Sequence, residues 1–218
     1  MLISTSFVGQ ANGNDWKLDV AAYKIPNVLE PDGSGEYNKI LKKITSKTGI
    51  VFHLDVLPIA RARAGYKNGD YDCLIPLDPI FEQQHQDHLQ SISFYEARLY
   101  AFTQREKAPI TDIRGLDGLR VGGELGMPYT PELTRIIGNN KAKSLKSLVE
   151  MLALNRYEAI LAYTPDILEL LKLEGPDVLS YDLQFPLAIY KDSLTCRPTN
   201  RNSDLMIKIN RVLTELGY

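Results

Sequence analysis

Apolar residues alternate with polar ones at Trp16, Leu18, Val20 and Ala22, which predicts a strand over residues 16–22. Tyr37, Ile40, Leu41 and Ile44 then return every third or fourth position, so residues 34–47 read as a helix that Gly49 closes. A second extended run covers residues 50–56. The stretch VLPIARARAGYKNGDYDCLIPLD, residues 56–78, follows as helix, polar turn and buried strand. Pro58 suits a first helical turn, and Asn68-Gly69-Asp70 stops the helix because glycine adopts the left-handed cap at least cost. Residues 71–75 are a short apolar run that Pro76 ends. The first 78 residues therefore read βαβαβ, a parallel sheet covered by helices.

The pattern repeats. LVEMLALNRYEAILAY, residues 148–163, again carries a helix into Asn155, an aromatic-acidic pair (Tyr157-Glu158, as Tyr71-Asp72 before) and an apolar strand. Between the copies lie extended runs at 91–94 and 99–103, a loop or single helical turn at 109–118, a strand from 119, and a helix over 130–137. After the second copy come a helix over 165–173, extended segments at 177–181 and 186–190, and an amphipathic helix over 203–216. Two similar units predict two β/α lobes. Residues 12–95 and 185–218 are expected to form the first lobe, with residues 96–184 inserted as the second. Two crossings between lobes make a hinge.

Composition changes little. The formal net charge of −2 supplies no basic field for nucleic acid or an anionic membrane. Two cysteines define no disulfide framework: Cys73 reads as a small buried apolar residue, and Cys196 as part of an exposed polar segment, so a bridge between them is not expected. Residues 2–8 are apolar and uncharged, and Gly9 and Ala11 suit a processing site after residue 11; a signal-peptide remnant over 1–11 and a disordered tail both fit.

Gly35-x-Tyr37-x-x-Ile40-Leu41, Gly69-x-x-Asp72, residues 116–122 (LDGLRVG) with Gly126, and Arg156-Tyr157-Glu158-Ala159 together resemble type II periplasmic solute-binding proteins of the amino-acid-binding branch. The resemblance covers residues 18–216, and the run at 57–62 is similar to a subgroup with Pro-x-x-Arg opening the second helix. It implies a two-lobed α/β fold that closes on a small polar organic ligand outside the cytoplasm. The implied partner is the membrane permease of an ABC transporter or a membrane sensor, and the implied state a periplasmic monomer. Ligand sensing and cyclic-acid dehydration on the same fold are the alternatives, the latter needing Glu124 as its acid–base group. The chain also departs from the family. Gln84 or Gln86 stands where the carboxylate-gripping arginine belongs, Tyr163 where the ammonium-binding aspartate belongs, and Met127 where a hydroxyl belongs.

Ligands on parallel sheets sit beyond the carboxyl ends of the strands. The candidate ligand-binding residues are accordingly Tyr23, Arg61, Asp78, Tyr95, Gly126, Met127 and Tyr163. Arg61 is the anion-binding candidate at a helix start, set against a plain solvated arginine beside Arg63 and Lys67. His85 and His88 share a helical spacing but read as part of a polar helix at the surface, with no third ligand evident, so no metal, cofactor or catalytic group is expected.

Overall fold

The computed structural model describes residues 16–78, 87–174 and 179–218. The expected signal remnant, Gln84, Gln86 and His85 lie outside the described residues.

Two sheets carry the fold. In the first lobe β1 (Lys17–Tyr23) lies between β2 (Val51–Leu57) and β3 (Cys73–Ile75), parallel to both. Its alternation sorts its side chains to two faces. Leu18, Val20 and Ala22 meet the apolar stripe of α1 (Glu36–Thr48) and of the last helix, α6 (Asn200–Glu215), while Ala21 packs with Ala62 and Tyr66 of α2 (Ile59–Asn68). The cap of α2 is Gly69 at φ 92°, as Asn68-Gly69-Asp70 demanded. Its echo is equally literal: α4 (Leu145–Ala153) runs into Asn155 at φ 57° and then β8 (Ala159–Thr164).

The second sheet has the order β10-β5-β8-β6-β7. Here β5 is Tyr95–Gln104, β6 Val121–Glu124, β7 Lys141–Ala142 and β10 Ala188–Asp192, with β9 (Leu179–Ser180) beside the end of β5. Helices α3 (Pro131–Ile137), α4 and α5 (Asp166–Glu174) cover it.

Two expectations need correction. The chain does not return to the first lobe at residue 185, because β10 pairs antiparallel with β5 over five residues; the return comes after Asp192. The extended run at 91–94 is part of the connection between the lobes, and β4 (Leu89–Gln90) precedes it. Finally, Cys73 and Cys196 form a disulfide. Residues 195–196 are a short strand, β11, that adds antiparallel to β3 and places Cys196 directly opposite Cys73, with Cα atoms 4.0 Å apart. Cys196 is 1% exposed, so the polar segment around it is buried at that point. Its neighbours Ser193 and Thr195 satisfy their hydroxyls on the Leu77 carbonyl, which is how polar residues come to occupy a sheet interior.

The hinge is two antiparallel strands of chain, residues 91–95 and 190–194. Ser91 N–H donates to the Leu194 carbonyl at 2.9 Å, and Phe94 N–H to that of Asp192 at 3.0 Å. The first lobe clamps the same place: Lys191 N–H donates to Asp78, and the Tyr37 hydroxyl donates to Asp192 in a very short bond.

Candidate functional site

The carboxyl ends of β1, β3, β6 and β8 converge on the gap between lobes, so whatever follows those strands faces it. A cavity of about 10 Å³ lies there. The first lobe contributes Tyr23 and Ile25 at the end of β1. The second contributes Ala97 from β5, Met127 and Pro128 after β6, Tyr163 and Asp166 after β8, and Tyr190 and Asp192 from β10. That volume is room for roughly one water, so the two walls are closed down on each other.

The lobes touch across this gap. Gly126 has φ 91°, a conformation that favours glycine, and a Cβ there would lie 2.6 Å from the backbone nitrogen of Ala60 at the start of α2. At the other rim the Asn27 amide donates to Glu169 of α5 at 2.8 Å. The described arrangement is a closed one.

Of the residues expected from the sequence, Tyr23, Met127 and Tyr163 line the cavity, and Gly126 makes the contact that closes it. The remaining three sit elsewhere. Asp78 is buried at the hinge, accepting from Lys191 N–H. Arg61 is exposed in the first turn of α2 and does not line the cavity. Tyr95 is 39% exposed and faces a separate groove beside α1, with Tyr37, Phe94 and Tyr218. His88 accepts or donates at Nδ1 with the Tyr66 hydroxyl, 3.0 Å away, and stacks on its ring. Among the described residues no cluster of three His, Cys, Asp or Glu side chains could hold a metal.

Sequence reasoning missed Asp166, Tyr190 and Asp192. Tyr190 sits edge-on to Tyr163 at 5.7 Å between ring centroids, and Tyr163 stacks on Tyr129 at 6.3 Å. The Tyr163 hydroxyl donates to the Pro128 carbonyl at 2.7 Å, which holds the loop after β6. Burial pushes the Tyr23, Tyr129 and Tyr163 hydroxyls well above the ordinary tyrosine range, so all stay neutral donors.

The carboxyls are shifted too. Asp192 is buried and desolvated, which raises it well above the usual carboxylate range against the stabilising Tyr37 hydrogen bond. Burial pushes Asp166 up to about 7, and Glu124, at the end of β6, up to about 7 as well. Glu124 and Asp166 share a smaller adjoining space with Tyr129 and Tyr163. A charged Glu124 raises Asp166 and a charged Asp166 raises Asp192, so the cavity is a place of concentrated acidity.

No family model matches the chain, and no curated protein matches it either. Solved structures do. Holo ArgBP from T. maritima superposes with a TM-score of 0.72 at 17% identity, over 93% of this chain and 91% of that one. The substrate binding protein of an amino acid ABC transporter gives 0.71 at 17% identity, covering 92% of each chain. The GluR0 ligand-binding core from Nostoc punctiforme, in complex with L-glutamate, gives 0.71 at 18% identity, over 91% and 92%. At such identities the likeness is one of fold, and it spans nearly the whole of each molecule: this chain has the two-lobed α/β fold of these binding proteins.

Proposed function

We propose that this chain is an extracytoplasmic solute-binding protein that closes its lobes on a small polar metabolite and hands it to an ABC-type permease. The observation that carries this reading is the closed cleft. Two lobes joined by a two-strand hinge meet through Gly126 and Ala60 over a tyrosine- and carboxylate-lined space contributed by both. Hinge closure needs contacts that exist only in the closed state, and a ligand touching both walls supplies them through differential affinity. Tyr23 and Ile25 on one side, and Met127, Tyr163 and Asp166 on the other, are the proposed contact residues.

Two further observations support the setting. A buried disulfide belongs to an oxidising compartment such as the periplasm. The solved structures that the chain resembles are named for binding amino acids, one of them within an ABC transporter. Titration calorimetry on ligand-stripped protein tests the proposal. One-to-one binding of a metabolite, with compaction in solution scattering, is the expected result. Binding without compaction would contradict the closure mechanism. The GluR0 ligand-binding core, equal in TM-score, favours a sensor as the second reading. A permease and ATPase encoded nearby point to uptake, and a kinase or cyclase to sensing.

A further inference from the structure

The solute-binding reading leaves the charge of the ligand open, and the cavity walls speak to it. Asp166 begins α5, is 8% exposed, and is turned into both the main cavity and the space beside it. Its own backbone N–H donates to it, and among the described residues no other group bonds it or pairs with it as a counter-ion. Asp192, 3% exposed, lines the same cavity and holds a single hydroxyl, from Tyr37. Burying a carboxylate without a cation costs several kcal/mol, so a fold keeps one in a ligand cleft at a loss unless the ligand brings the charge.

The rest of the lining agrees. Tyr23, Tyr163 and Tyr190 present aromatic rings to the same space, and such rings attract cations. Among the described residues, Arg63 on α2 is a cation whose field reaches Tyr23 and Tyr163, and no cation lowers Asp166 or Asp192. Arg61, the other candidate for an anion, is exposed outside the lining.

We propose that the cleft is selective for an organic cation, with an ammonium or guanidinium group taken by the Asp166 and Asp192 carboxylates and covered by Tyr23, Tyr163 and Tyr190. The inference rests on the solute-binding reading and adds the ligand's chemical class. Amines without a carboxylate and cationic amino acids share this chemistry, and the test separates them.

The full chain, stripped of bound ligand by partial unfolding and refolding, is titrated calorimetrically at pH 8 with agmatine, putrescine, arginine, glutamine and glutamate. At least one of the three cations binds, glutamate does not, and agmatine against arginine shows whether an α-carboxylate contributes. Asp166→Asn weakens the cation at least tenfold while circular dichroism and the ligand-free melting point hold or rise. As a second variant, Arg63→Gln leaves cation affinity equal or tighter, whereas an anionic ligand would be lost. Silence from all three cations, or an Asp166→Asn affinity within twofold of the parent, overturns the inference. In that event, binding of glutamate or glutamine leaves the solute-binding reading standing. Silence from all five, with no small molecule carried through purification, counts against both.

Discussion

Asp166→Asn should make the ligand-free protein more stable, by a margin that grows with pH until the folded carboxyl is charged. Burial raises Asp166 from 3.8 to about 7. Between those values the folded protein holds a proton that the unfolded chain has released. The stability tied to this group is therefore fully present below the unfolded value, and is lost as pH rises through the folded one. Between pH 5 and pH 8 the folded carboxyl crosses its midpoint, and at ~1.4 kcal/mol per unit the loss is about 3 kcal/mol at most. Asparagine keeps the shape and does not titrate. The groups near Asp166 set what remains: Glu124 and Asp192 are raised as well and keep a slope of the same sign, and the cavity tyrosines stay neutral throughout. Urea melts of ligand-stripped parent and variant at half-unit steps from pH 5 to pH 8 read the effect. The gap between the two stability curves should widen by at least 1 kcal/mol from pH 5 to pH 8, with the variant above. Parallel curves would refute the desolvated state of Asp166 and the reasoning built on it.

Reduction, or Cys73→Ala with Cys196→Ala, should destabilise the first lobe. The bridge closes a loop of 123 residues, worth about 5 kcal/mol in the chain-entropy account, and a fall in the urea midpoint with unchanged ligand affinity is expected. Gly126→Ala places a methyl group against Ala60 in a left-handed conformation, so binding should weaken at least tenfold while the ligand-free fold persists, measured by calorimetry and circular dichroism. Arg61→Ala should change the affinity by less than twofold, because Arg61 is exposed and outside the cavity; a tenfold loss would show that it reaches the ligand.

The frame of the molecule was legible because its signals are local. Four apolar residues at helical spacing made α1, alternation made β1, and Gly69 and Asn155 ended α2 and α4 in left-handed turns. Site residues that immediately follow such strands, Tyr23, Met127 and Tyr163, were legible for the same reason. What escaped depends on distant pairing. The two-residue strand β11 has no periodicity of its own, and only its register with β3 brings Cys196 to Cys73 and buries it. Likewise β10 looks like any strand in sequence, and only its pairing with β5 keeps it in the second sheet and carries Tyr190 and Asp192 to the cavity. Asp166 resembles an ordinary helix-start acid, and its burial comes from tertiary packing that no local pattern shows.

Native mass spectrometry of the protein purified from an extracytoplasmic compartment tests the central claim, ligand capture by lobe closure, most directly. The expected spectrum shows the chain with one small molecule bound, released on unfolding and absent from Gly126→Ala, whose lobes cannot meet. A bare chain in every preparation, with no compound from a metabolite panel restoring an adduct, would contradict the account.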